Sequence, residues 1–109
     1  MSYEELLAVR MRAALGVLAR LEEKKMFGGT GFLVNGNMAC GVHKNNMIVR
    51  VGPEKHAWAL AQPHTRPFDM TARSMSGWVE VEPPGCATEK ALKAWVNLGL
   101  AFALSLPAK

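Results

Sequence analysis

The stretch KKMFGGTGFLVNGNMACGVHKNNMIVRV, Lys24 to Val51, decides the fold. It reads as three short strands joined by two turns. Lys24 to Val34 is extended sequence interrupted at Gly28-Gly29, where glycines suggest a bulge or a close backbone approach. Asn35-Gly36 follows. A type I′ turn needs positive φ at both central residues, and this dipeptide tolerates it, so a tight hairpin is expected. Met38, Cys40 and Val42 then alternate with Ala39, Gly41 and His43, the period of a strand with one buried face. Lys44-Asn45-Asn46 makes the second turn. Met47, Val49 and Val51 alternate with Ile48 and Arg50 in the third strand.

Helical sequence flanks this stretch. Ser2 and Glu5 have the S-x-x-E spacing of a helix N-terminus. Leu7, Met11, Ala14, Leu15, Leu18 and Leu21 follow at spacings of three and four, one apolar stripe on a helix. Gly16 is its weak point, where the helix is free to bend or stop, since an interior glycine costs about 1 kcal/mol relative to alanine. After Val51, Gly52-Pro53 starts a short helix that Pro63 ends near Ala61. Phe68–Thr71 and Trp78–Glu82 read as two more strands, with their turn between Ala72 and Gly77. Pro83-Pro84-Gly85 is a break, and Thr88 is a candidate N-cap for a last helix. Leu92, Trp95, Val96, Gly99, Phe102, Ala103 and Leu106 form its main stripe. Its other side carries Ala94, Leu98, Ala101 and Leu104, so burial on two sides is expected. The order is α-β-β-β-α-β-β-α.

The 109 residues suit one domain over 1–109, with half of them apolar and a fifth charged. The net charge of +4 raises the chance of an acidic partner, and nucleic acid is the alternative to a protein. No basic run exceeds two residues. No stretch of about 18 apolar residues occurs, which argues against a membrane span. Two cysteines without C-x-x-C spacing, and a polar N-terminus, suggest a cytoplasmic chain with free thiols.

The chemistry-bearing residues point to binding rather than catalysis. Gly28-Gly29-Thr30-Gly31 precedes a strand, whereas phosphate loops precede a helix, so close packing is the better reading. Cys40 and His43 lie three apart on a strand and point to opposite faces, which argues against a shared metal. No cofactor motif is present. Cys86 has no adjacent base, and Ser74 and Ser76 lie near no histidine or aspartate in sequence. Asp69 and Glu80 are a candidate pair across two strands, with solvated surface as the simpler reading. The candidate polar binding residues are Lys24, Lys25, Arg50, Arg66 and Arg73; Lys25 and Arg50 are candidates to share a sheet face. Arginine suits bidentate contact with carboxylate or phosphate. These side chains also serve as ordinary partners for the glutamates. Phe27, Phe32 and Trp78 are too scattered for a base-stacking platform. Trp78 and Trp95 read as core anchors, and Trp58 has few apolar neighbours.

Four segments carry a resemblance: KKMFGGTGFLVNGNMACGVH, RVGPE, FDMTARSMSGWVEV and AWVNLGLAFALSLP. In this order they resemble the N-terminal domain of the TfoX/Sxy competence regulators, from about Glu22 to Pro107. The resemblance implies an α+β fold of two layers, a mainly antiparallel sheet covered by helices. It also implies a bacterial cytoplasmic protein with a role linked to transcriptional control of DNA uptake genes. Together with the lack of catalytic groups, it leads to the expectation of a small non-catalytic regulatory module that acts through a protein partner. The regulators carry a further C-terminal helical domain, so a stand-alone copy of the N-terminal domain is expected. The expected alternatives are direct nucleic-acid binding through the basic first half, or a small-molecule ligand in a pocket lined by Arg50 or Arg73. A homodimer through the apolar last helix is also expected to be possible.

Overall fold

The computed structural model describes residues 2–26, 28–70 and 73–109, without the side chains of 69, 70 and 73–75. Helix α1 (Tyr3–Leu15) is followed by strands β1 (Leu21–Met26), β2 (Gly29–Val34), β3 (Asn37–His43) and β4 (Asn46–Arg50). Helix α2 (His56–Leu60), strands β5 (Thr65–Met70) and β6 (Arg73–Val81), a 3₁₀ turn at Pro83–Cys86 and helix α3 (Glu89–Ser105) complete it. The strands form one antiparallel sheet in the order β1-β2-β3-β4-β6-β5. The architecture is α+β, and helices and strands succeed one another as expected, with four strands rather than three between α1 and α2.

Local chemistry accounts for the boundaries. The Ser2 hydroxyl accepts from the Glu5 amide at 3.1 Å and caps α1. The helix stops at Gly16, whose φ of +67° suits glycine. Leu18 and Leu21 therefore lie beyond it, yet both still pack against the same core. Asn35 and Gly36 have φ of 54° and 81°, as the hairpin turn requires. Thr88 caps α3 by accepting from the Ala91 amide at 3.1 Å.

Two boundaries differ from the sequence reading. The extended segment interrupted at Gly28-Gly29 starts at Leu21 and doubles back, so β1 and β2 pair as a hairpin. A Cβ on Gly29 would lie 2.0 Å from the Val42 carbonyl oxygen, so backbone there approaches backbone, as the glycines suggested. Strand β6 starts at Arg73, so most of the expected 72–77 turn is strand. Residues 71 and 72 lie outside the described residues.

The helices cover one face of the sheet. α3 lies across β3 and β4, with α1 beside it. Leu7, Met11 and Leu15 meet Leu92, Val96 and Ala103 over Phe32, Cys40, Val42, Met47, Val49, Val79 and Val81. α3 comes closest at Gly99, where a Cβ would lie 2.2 Å from the Ala39 carbonyl oxygen. Only a residue without a side chain fits that crossing.

The other face coils inward. His43 on β3 and Phe68 on β5 are separated in the sheet by β4 and β6. Three strand spacings in a flat sheet span about 14 Å. Their rings nevertheless meet at 5.7 Å. Ile48 of β4, between them, is fully buried although α1 and α3 lie on the opposite face. Gly31 and Gly41 pair on this inner face and leave a shallow hollow that Met26 and Met38 fill.

Candidate functional site

The sheet register sorts the five cationic candidates. Lys25, Thr30, Val42, Met47, Val81 and Thr65 form one row, on the helix-covered face. Lys24, Gly31, Gly41, Ile48, Glu80 and Arg66 form the next, on the inner face. Arg50, two residues from Ile48, projects to the inner face too. Lys25 and Arg50 therefore do not share a face. Adjacent residues on a strand point to opposite sides, so it is Lys24 that matches Arg50.

Each cation has its own surroundings. Lys24 is exposed, with its ammonium 3.9 Å from Glu22. Lys25 borders a cleft of about 660 Å³ between α1 and the β1–β2 hairpin. Glu4, Glu5 and Arg12 share that lining, so its charge is mixed. Arg66 donates to Glu80 at 3.0 Å. Asn46 also donates to Glu80, which satisfies a carboxylate that is only 8% exposed. Arg66, not Asp69, stands opposite Glu80 in the register, and Asp69 pairs with Ser74. The side chains of Asp69, Arg73 and Ser74 lie outside the described residues, as does Phe27.

Arg50 is the cation that the fold treats differently. Its guanidinium carbon lies 5.3 Å from the Trp78 ring centre and 5.2 Å from that of Phe102. Rings take up the apolar faces of a guanidinium and leave its N–H edge for other partners. Trp78 is the cross-strand neighbour of Arg50. Gly77 before it has φ +86°, and its carbonyl accepts from the amides of Val51 at 2.8 Å and Gly52 at 3.0 Å. Gly52 has φ +88°, and a Cβ there would lie 2.5 Å from the Phe102 ring. The R-V-G-P, G-W-V and α3 segments quoted above thus converge on one place.

Phe102 also borders a second cleft, of about 460 Å³, between α3 and the connection from β4 to α2. Val51, Gly52, Pro53, Leu98 and Ala101 line it, with Glu54 and Lys55 at the edge. Among the described residues, no element covers the outer side of α3 for the second burial expected there. Ala94 and Ala101 are exposed, Leu98 is half-buried and Leu104 is 51% exposed. Trp58 is 53% exposed nearby, its ring 6.2 Å from that of the buried Trp95.

The two thiols and His43 sit in packed surroundings. Cys40 is fully buried on the helix side, and burial pushes its thiol up to about 12. Burial also raises the Cys86 thiol, with Arg10 pulling the other way. Both thiols are free. His43 faces Phe68 on the inner side, opposite to Cys40, as the strand period requires. Among the described residues no three metal-ligating side chains gather.

Sequence reasoning named Arg50 but not the rings that hold it. Trp78 and Phe102 come from segments far away in the chain, and no local pattern joins them. The visible signals were Gly52 before a proline and Gly77 before a tryptophan. Among the described residues, no helix is long and apolar enough to cross a membrane. No curated protein and no solved structure matches the chain. A family model, that of the TfoX N-terminal domain, matches residues 13–103. That span holds all six strands, α2 and nearly all of α3, so this chain belongs to the TfoX N-terminal domain family.

Proposed function

We propose that residues 1–109 act as one small, non-catalytic interaction module in transcriptional regulation, of the competence type associated with this family, through a protein partner in the bacterial cytoplasm. The observation that carries this reading is the uncovered apolar surface of α3. Leu98 and Ala101 line a cleft, Leu104 is exposed on the same helix, and the exposed Trp58 packs its ring against Trp95 of α3. Apolar patches of this kind, rimmed by polar residues, mark interaction sites. Direct nucleic-acid binding has less support. Arg10, Arg12 and Arg66 each already hold a glutamate, and Lys24 and Lys25 face opposite ways.

Affinity capture from a bacterial lysate, with and without nuclease, tests the reading. A protein partner recovered equally in both arms is the expected result. Recovery lost after nuclease would point to nucleic acid instead. No protein above background would end the proposal. A second copy of the chain is the competing occupant of the α3 surface, and light scattering at high concentration detects it.

A further inference from the structure

We propose that the cleft between α3 and the β4–α2 connection binds an amphipathic helical segment of the partner protein, with Arg50 receiving a carboxylate of that segment. This rests on the protein-partner reading above and names the site and chemistry of the contact.

Arg50 supplies the first argument. Arg10 pairs with Glu89 at 2.8 Å, Arg12 with Glu23, and Arg66 with Glu80 at 3.0 Å. Arg50 makes no ion pair and no side-chain hydrogen bond among the described residues; its contacts are the two rings. The rings hold the side chain in one place before any ligand arrives. Much of the entropy otherwise lost on ordering a long side chain is therefore already spent. A guanidinium with a free N–H edge matches a carboxylate in bidentate geometry.

The cleft supplies the second. Phe102 joins the two parts, lining the cleft and also carrying Arg50. Leu98, Ala101, Phe102 and Ser105 recur at spacings of three and four along α3, so one straight wall is offered. A helix placed in such a groove presents its own residues at i, i+3, i+4 and i+7.

Charge decides between the occupants. A second copy docking its own α3 here would bring Lys90 and Lys93, which are exposed. The one acid on that helix, Glu89, is already held by Arg10. Self-docking would thus place lysines, not a carboxylate, near Arg50. An acidic segment complements Arg50 and Lys55. Glu54 is the single carboxylate on the lining, beside Lys55.

The test uses a random 15-residue peptide display library, selected on the full chain. Enriched peptides should carry an apolar i, i+3/i+4, i+7 pattern with Asp or Glu at one end. The best peptide, made synthetically, is then titrated by fluorescence anisotropy against variants whose NMR spectra show a native fold. Arg50→Gln should weaken it at least about tenfold, the scale of losing one partner of a desolvated charge pair. Ala101→Arg, an exposed change that fills the cleft, should weaken it similarly, and it carries the test alone if Arg50→Gln does not fold. Lys25→Ala should change it less than about twofold, because Lys25 borders the separate cleft between α1 and the β1–β2 hairpin and not this one. Enrichment without acidic residues, or affinity indifferent to both cleft variants, overturns the proposal. So does a wild-type dimer that Ala101→Arg dissociates, because the cleft then belongs to a second copy. Lysate capture of a protein that survives both variants overturns this site but leaves the protein-partner reading standing. Capture of no protein overturns that reading itself.

Discussion

Replacing Gly99 by alanine separates intrinsic helix preference from tertiary packing, because the two predict opposite signs. Gly99 is in the interior of α3, where alanine is favoured over glycine by about 1 kcal/mol. Propensity alone therefore predicts a stabilised variant. The packing predicts the reverse. The new Cβ would sit 2.2 Å from the Ala39 carbonyl oxygen, 3.0 Å from its carbon and 3.3 Å from Val49 Cγ1. An ordinary carbon–oxygen contact is near 3.3 Å, so helix and sheet must separate by about 1 Å; dispersion contacts lose much of their well depth over such a gap. The obstacle is backbone and cannot rotate away. Overpacking of this kind costs about 1–3 kcal/mol, and against backbone the upper part of that range applies. The net expectation is a loss of about 1–2 kcal/mol, or roughly 5–10 °C in Tm. Urea unfolding followed by tryptophan fluorescence measures it. Asn97→Ala, exposed on the same helix, is the control and should gain a few tenths of a kcal/mol. A Gly99→Ala protein as stable as wild type, or more so, would refute the close crossing of α3 over β3.

Other perturbations probe other parts of the fold. Asn37 is buried and donates to the Pro107 carbonyl at 2.9 Å, so Asn37→Ala should cost about 1–3 kcal/mol in urea unfolding; a neutral result would mean that the C-terminal segment is not held there. The hydrogen bond from Arg12 holds the Glu23 carboxyl below its usual range. Its contribution is therefore present above the ordinary carboxylate pKa and lost as pH falls through the lowered one. Glu23→Gln should lower stability at neutral pH by at most about 1 kcal/mol, with the difference from wild type vanishing in acid; a gap that persists at pH 2 counts against this. Cys40 is the alkaline counterpart. Its thiol stays neutral in the folded chain up to about 12, whereas the unfolded chain ionises near about 8.5. Stability is thus retained below that pH and lost as pH rises, so urea midpoints from pH 8 to 10 should fall less steeply in Cys40→Ala than in wild type. Equal slopes would contradict the burial of that thiol.

The sequence was most legible where local chemistry decides the outcome. Ser2, Thr88 and Asn35-Gly36 mark caps and a turn whose requirements lie within a few residues, and the structure uses all three. Legibility failed where two structures satisfy one pattern. Glycines at 28 and 29 suit a bulge and a turn equally, and the antiparallel return of β2 along β1 is visible only once both strands are placed. The stripe through Leu18 and Leu21 continued a helical period because both residues reach the same core, one from a loop and one from a strand. At the candidate site, Arg50 was legible as a cation, but its role depends on Trp78 and Phe102, which reach it only through sheet pairing and helix packing. The excess apolar character of α3 was legible as well, and the chain itself leaves it uncovered.

The most direct measurement compares partner recovery by wild type, Ala101→Arg, Arg50→Gln and Lys25→Ala in one quantitative capture series with nuclease present throughout. The account predicts the same protein with wild type and Lys25→Ala, and its loss with the two cleft variants. Equal recovery in all four would contradict the placement of the interaction surface on α3 and Arg50, and recovery in none would contradict the protein partner itself.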